Sequence, residues 1–585
     1  ALSLAAGGSF TTRMVIDSDS VVSLSNNDAG ASNTIFGHSS GANIASGGDK
    51  NSLVGKGSGN AITTGDHNTH VGWEAGYYNA INSQNTSVGS RALTGTSGQS
   101  ADNITAIGYS ALITAYGTEN TAVGSEAGYD MTTGAYNTLM GYRAGKGITT
   151  GHGNTVIGRE ALKGDGANTC QENVIIGYIS ANHASFAADK CIIIGALAGQ
   201  AAMTADADGT IAIGYEAGKA ITSGDLNLVI GYQAGLDLAD GGRNILIGAG
   251  SGENITSGNN NICIGGYQTA DAMTTTTNCT IIGYRAGSAI NSADADGTVL
   301  IGKDAGLSIT EGRYNTIIGF TAGDAINTGD GNTILGYEAG SAITTAVGNI
   351  AIGYQALKFE DTAGGNTAIG YRALKDCNNG ERSTAIGYDA LTSVTTGNYN
   401  TVLGYQAGNL LTTGANNTIL GYDADVDAND REGCIIIGSG LSLNTASDNV
   451  VEIGNNTNSM TYDLDGGDIT VTSDVRTKKN IKDTKIGLDF INKLRPVTYQ
   501  TKAPSEYAEE FGIENASKKS SGKIWDGLIA QDVKAVMDEM DVEFSGWEIG
   551  INTKQRLAYG KFVMPLIKAI QELSAKVEEL ESKLK

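Results

Sequence analysis

The chain has 585 residues, of which 83 are glycine and only 3 are proline, and its net charge is −24. A chain of this length is too long to fold around one ordinary hydrophobic core. The length therefore predicts several domains or a repeat array. The glycine follows no G-x-y period and is not accompanied by abundant proline, which excludes collagen. The acidic charge argues against a nucleic-acid partner.

Charge and proline divide the chain at the same place. Residues 473–585 contain all three prolines together with 19 Lys+Arg and 18 Asp+Glu, which leaves a net charge of about −25 on the first 472 residues. No apolar run approaches the ~18–20 residues of a membrane span, so no membrane insertion is expected. The six cysteines form no CxxC pair and the five histidines are scattered. This predicts no metal site, cofactor or disulfide framework.

The first 30 residues read as an N-terminal connector or cap. The segment TRMVIDS at 12–18 resembles a connector found in phage tail-fibre proteins.

Residues 31–456 are built from one short motif, N-T-x-[I/V/L]-G. Its glycine recurs 25 times from Gly37 to Gly454, most often every 17 residues and within a range of 16 to 19. The residue before the glycine is always apolar, and a second mostly apolar column follows seven residues after it, as at Ile343. Each unit therefore reads as two short strands separated by two glycine-assisted turns.

A unit of 17 residues cannot fold alone, because its strand edges would lack hydrogen-bond partners. Stacking of successive units removes these edges, and the absence of proline keeps the ladder complete. The fold class predicted is an all-β repeat shaft, a β-solenoid or β-roll, about 115 Å long at ~4.8 Å per coil. The repeat also resembles the heads of trimeric autotransporter adhesins, which carry an N-[ST]-x-x-I-G-like strand.

Three features of the repeat are candidate sites. Cysteine replaces the motif asparagine at Cys191, Cys279 and Cys434, which indicates a small structural position rather than a reactive thiol. The sequences DADG at 206–209 and 294–297 lack the downstream Glu of a calcium loop and indicate enlarged turns. A tyrosine row after the motif glycine fits either packing or glycan binding. The row comprises Tyr109, Tyr142, Tyr178, Tyr215, Tyr232, Tyr284, Tyr337, Tyr354, Tyr371, Tyr388, Tyr405 and Tyr422.

After a turn-rich joint at 457–472, the period is lost and four blocks follow in residues 473–585. They are SDVRTKKNI at 473–481, LRPV at 494–497, GLIAQDV at 527–533 and LAY at 557–559. In this order they resemble the intramolecular chaperone of phage endosialidases and related tail fibres. The resemblance implies a small α+β domain that trimerises, templates the fibre and cuts itself off just before a serine.

The final helix carries a heptad seam, typical of a coiled coil. Its residues are Val563, Leu566, Ile570, Leu573, Val577, Leu580 and Leu584. A β-branched residue at a with leucine at d favours two strands by the simple rule, whereas the resemblance implies three. The alternative is an amphipathic helix that packs on its own domain.

The resemblance places a serine–lysine pair at Ser473 and Lys478, with cleavage between Thr472 and Ser473. A desolvated lysine can take the proton from a serine hydroxyl that attacks the preceding carbonyl. In the alternative, Lys478 belongs to a solvated basic run. An autocatalytic serine endopeptidase of this kind would act once on its own chain, and the mature fibre would not be an enzyme.

The sequence therefore predicts a homotrimeric phage tail fibre in the virion, assembled in the host cytoplasm, that binds a host surface receptor, for which a glycan is one candidate. Two alternatives stay open at this point: a bacterial surface adhesin, and a fibre with glycan-depolymerase activity.

Overall fold

The structure is a computed structural model that describes residues 15–16, 22–23, 32–99, 101–165, 168–443, 447–464, 469–471, 479–506, 522–550 and 554–585. Its contacts divide the chain into two compact units, Ala1–Thr472 and Ser473–Lys585. Most of the predicted connector and the predicted cleavage residues lie outside the described residues.

The first described elements of this unit are a short antiparallel pair, β1 (Val15–Ile16) and β2 (Val22–Ser23). A long series of three-residue strands, one per coil, follows it. These are β3 Thr34–Phe36, β4 Ser52–Val54, β5 Thr69–Val71, β6 Thr86–Val88, β7 Thr105–Ile107, β8 Thr121–Val123, β9 Thr138–Met140, β10 Thr155–Ile157, β11 Val174–Ile176, β12 Ile192–Ile194, β13 Ile211–Ile213, β14 Leu228–Ile230, β15 Ile245–Ile247, β16 Ile262–Ile264, β17 Thr280–Ile282, β18 Val299–Ile301, β19 Thr316–Ile318, β20 Thr333–Leu335, β21 Ile350–Ile352, β22 Thr367–Ile369, β23 Thr384–Ile386, β24 Thr401–Leu403 and β25 Thr418–Leu420.

Four further strands end the unit: β26 (Ile435–Ser439), β27 (Val450–Asn455), β28 (Ser459–Asp463) and β29 (Ile469–Val471). From β3 to β27 every strand pairs in parallel with the next, and equivalent residues of the motif lie beside one another. The pairs β27–β28 and β28–β29 are antiparallel. The predicted β-solenoid of ~17-residue coils is confirmed.

The prediction of two strands in each unit is wrong. Between successive strands the described chain forms mainly turns and bends. The backbone hydrogen bonds between coils are isolated there rather than arranged as a strand ladder, as from Gly340 N–H to the Ala356 carbonyl (2.9 Å). The turn residue two positions after the motif glycine is usually not glycine yet has a positive φ, for example Glu338 at 51° and Gln355 at 54°. Repeated left-handed residues bend the chain too sharply for a second strand.

The core is a narrow column inside the coils. It is formed by the middle residue of each strand, the alanine three residues after the motif glycine and the residue seven after it, as with Ile334, Ala339 and Ile343, all fully buried. Each coil contributes only a few aliphatic groups, so its apolar burial depends on the coils above and below.

The motif asparagine connects the coils. The fully buried Asn332 accepts the backbone N–H of Asn349 in the next coil at 3.0 Å, and its own side-chain amide donates to the Ala346 carbonyl at 2.9 Å. Asn315 and Asn332 repeat the first bond at 2.9 Å. These side chains provide hydrogen-bond partners for buried backbone N–H and carbonyl groups next to the start of each strand.

The second unit is a small α/β region that ends in a helix, as predicted. Its elements are α1 (Leu488–Lys493), β30 (Val497–Gln500), β31 (Ile524–Gly527), α2 (Ala530–Glu539), β32 (Trp547–Ile549), β33 (Gln555–Leu557) and α3 (Val563–Leu584). The pairs β30–β31 and β32–β33 are antiparallel. Its buried core is formed by Ile486, Phe490, Val533, Val536, Met537, Phe544 and Phe562.

Candidate functional site

Three of the four sequence blocks of the second unit meet in space. The block at 494–497 contacts the block at 527–533 through an ion pair between Arg495 and Asp532 (2.8 Å) and through the pairing of Val497 with Gly527. The block at 557–559 joins them, because the Tyr559 hydroxyl accepts the Leu528 N–H at 2.7 Å. Of the remaining block, 473–481, the structure describes only residues 479–481.

One contact that holds this unit together has no sequence signal. The Glu572 carboxylate, in α3, accepts the backbone N–H of Leu488 at 2.8 Å, at the first turn of α1. A carboxylate suits this place because the first N–H groups of a helix have no partner within it. The two residues are 84 positions apart, so neither spacing nor composition could identify the pair.

The heptad seam of α3 is open in the single chain. Within this helix the buried residues are Pro565 and Ala569, whereas all seven seam residues are exposed, from 44% at Leu566 to 87% at Leu584. The helix thus packs on its own domain through a different face from its seam. A row of seven exposed aliphatic side chains is a surface that association between helices would bury.

The predicted cleavage residues Thr472, Ser473 and Lys478 lie outside the described residues. The described chain approaches them from one side with β29, whose Val471 pairs with Met460, and resumes at Lys479. The serine–lysine pair therefore stays a prediction.

The tyrosine row of the shaft forms a stacked surface ladder. Its rings are 38% to 59% exposed, and in its longest run neighbouring centroids are 4.7 to 5.3 Å apart with interplanar angles of 6° to 12°. This run comprises Phe320, Tyr337, Tyr354, Tyr371, Tyr388, Tyr405 and Tyr422. Because each ring face is covered by the next ring, the row presents edges and hydroxyl groups rather than free faces for sugar stacking.

The remaining candidates have structural surroundings. All six cysteines are free and buried, and burial raises the pKa of Cys170 and of Cys191 to about 12. Such thiols are unreactive at neutral pH. The DADG sequences form short 3₁₀ turns, and the Asp208 carboxylate accepts the Asp189 N–H of the preceding coil at 2.7 Å.

His70 is a buried titratable residue that no sequence motif marks as a candidate site. His70 replaces the aliphatic residue in the middle of β5 and is fully buried, with Nδ1 2.7 Å from the Ser87 hydroxyl and no partner for Nε2. Desolvation lowers its pKa to about 4, so the ring is neutral near pH 7.

No helix among the described residues is both long and apolar enough to cross a membrane. Over the same described ranges, no group of three or more His, Cys, Asp or Glu side chains is arranged to hold a metal ion.

Comparison with known proteins gives one match. No curated protein and no solved structure matches the chain significantly. Residues 473–541 match the model of a peptidase family described as chaperone of endosialidase. The match begins at the boundary between the two compact units. Its C-terminal position and the solenoid of ~17-residue coils before it together fit a tail fibre with an endosialidase-type chaperone domain.

Proposed function

We propose that this chain is the subunit of a phage tail fibre, that three copies assemble through the C-terminal unit, and that this unit then cuts itself off before Ser473. The observation that carries the proposal is the exposed heptad seam of α3 on a domain that contains the chaperone-of-endosialidase match. A single chain leaves this apolar row in water, and three helices packed together bury it.

The family resemblance implies that Ser473 and Lys478, at the boundary, perform the cleavage, and we propose the following step. The Ser473 hydroxyl oxygen attacks the Thr472 carbonyl carbon while Lys478 takes the hydroxyl proton. The Ser473 nitrogen then leaves as an amine after receiving that proton, so that Thr472 is held as an ester. Water hydrolyses the ester, which releases the shaft with a carboxylate at Thr472 and restores the serine hydroxyl.

Mass spectrometry of the expressed chain tests the cleavage. We expect a released fragment of residues 473–585, and we expect it to disappear in Ser473→Ala and in Lys478→Ala. The same fragment pattern in the parent chain and in Ser473→Ala would contradict the proposed chemistry.

Substitution in the seam tests the assembly. Ile570→Lys places a charge on the exposed seam, and Gln571→Lys places the same charge beside it on an exposed position off the seam. Native mass spectrometry is carried out on Ser473→Ala chains, in which residues 473–585 are expected to stay attached. It should show three copies with the seam unchanged and with Gln571→Lys. Ile570→Lys should abolish assembly, because an ammonium group buried between helices is not solvated. Three copies in both variants would show that the seam is not the contact.

The mature shaft is, in this proposal, the part of the virion that meets a host surface receptor. Binding of the cleaved fibre to host cells, and its loss after removal of surface glycans, would assign the receptor class. No observation favours a depolymerase or a bacterial adhesin over this function.

A further inference from the structure

The strands of the shaft carry an apolar surface that the fold of a single chain does not explain. In each strand from β3 to β25 the middle side chain is directed into the core, so the first and third residues lie on the outer face. We call these two outer columns the strand stripe. Its third-position side chains are partly buried in most coils and exposed in the others, for example at Leu335 (44%), Leu403 (46%) and Leu420 (40%).

The composition of the strand stripe is the unusual feature. Across β3 to β25 its third position is always Ile, Val, Leu, Met or Phe, and its first position is always Thr, Ser, Ile, Val or Leu. By contrast, the buried middle position varies more and includes His70 and Ser87. The third position, which is on the outer face of the single chain, is thus more uniformly apolar than the middle position, which is in the core.

We propose that the strand stripe is the surface through which one shaft packs along a second copy of this chain. This inference rests on the proposed assembly and assigns the face that it uses. The stripe contains no charged residue from β3 to β25, although the first 472 residues carry a net charge of about −25. Two such acidic shafts repel one another through their charged faces, so close approach favours the uncharged one.

Length and spacing also indicate a second copy. The stripe repeats once per coil, at ~4.8 Å, for roughly 110 Å. A partner must present apolar groups at the same spacing over the same distance, and a parallel copy of the solenoid does so in register. Three residues at ~3.3 Å each make the stripe about 10 Å wide, so it covers on the order of 1,100 Å² per copy. This exceeds the ~800 Å² per partner of a standard stable interface.

Cysteine accessibility in the assembled full-length chain tests the inference. Leu335→Cys places a thiol on the stripe, whereas Val347→Cys and Leu410→Cys place thiols in the turn segments, where the parent residues are 55% and 54% exposed. The native cysteines are buried and have raised pKa values, so they should not react with the reagent. Each variant is treated with a polyethylene-glycol maleimide at pH 7.5, and native mass spectrometry of the same sample counts the copies.

We expect three copies, with the thiol of Leu335→Cys reacting at least ten-fold more slowly than those of the two control variants. If several copies are present and all three thiols react at similar rates, the stripe is free and this inference is wrong, while the proposed assembly stands. If the parent chain contains one copy, both the inference and the proposed assembly are wrong. An unchanged circular dichroism spectrum of each variant confirms that the coils have formed.

Discussion

The motif glycine should be the least replaceable residue of each coil. Gly336, directly after β20, has a φ of 145°, which side chains other than glycine rarely adopt. A Cβ added there would lie 2.2 Å from the Gly353 carbonyl oxygen and 2.7 Å from its carbonyl carbon. Both contacts are with the backbone of the next coil, so no side-chain rotation can relieve them. Gly331, five residues earlier, has a φ of 64° and nothing within 4 Å of its added Cβ, and serves as a matched control.

The two alanine substitutions should therefore differ in cost. Gly331→Ala carries only the penalty of a left-handed alanine, about 1 kcal/mol. Gly336→Ala adds a more strained backbone, roughly 1–3 kcal/mol. It also requires the coils to separate, which weakens bonds such as Gly353 N–H to the Leu335 carbonyl (2.8 Å), at about 1 kcal/mol each. We expect about 4 kcal/mol for Gly336→Ala, and the difference of about 3 kcal/mol corresponds to a factor of roughly 150 in local opening.

Hydrogen exchange measured by mass spectrometry gives this opening free energy coil by coil, which suits a repeat array that need not unfold in two states. Peptides that span β20 and β21 should lose protection in Gly336→Ala and nearly keep it in Gly331→Ala. Coils far from the substitution should be unaffected, because each coil contacts only its neighbours. Equal protection in both variants, within about 0.5 kcal/mol, would refute the argument from close approach.

Two further substitutions test the interior. Asn332→Ala removes the acceptor of the Asn349 N–H and should lower local stability by roughly 2–4 kcal/mol in the same exchange measurement. Asn332→Ser should cost less, since Ser383 occupies this column naturally and accepts the next coil's N–H at 3.2 Å; equal losses would show that the bond is unimportant. Because the pKa of His70 is lowered to about 4 from about 6.5 in the unfolded chain, its coil should be fully stable above pH 6.5. The coil should lose up to about 3 kcal/mol as pH falls toward 4. His70→Leu should remove this slope, and a slope that persists would place the titration elsewhere.

The repeat was readable in the sequence because the chain contains many copies of one unit. Motif glycine and asparagine recur at a nearly constant spacing, and both are required by backbone geometry that each coil repeats. The family resemblance of residues 473–585 was likewise carried by blocks such as 527–533, and residues 473–541 match the family. Contacts between distant residues, such as Glu572 with Leu488, were not predictable, because one carboxylate among many has no local pattern.

The period, the stacking of the coils, the division near residue 472 and the heptad seam could all be predicted from the amino-acid sequence, since they depend on spacing along the chain. Which side chains face inward could not, because packing in three dimensions selects them. In a strand such as Thr333–Leu335, Ile334 and Leu335 are both aliphatic, and alternation along three residues permits either to be buried. Packing against the buried Ala339 and Ile343 of the turns selects Ile334. The invariably apolar column that contains Leu335 is thereby left on the surface, which the spacing of the motif could not show.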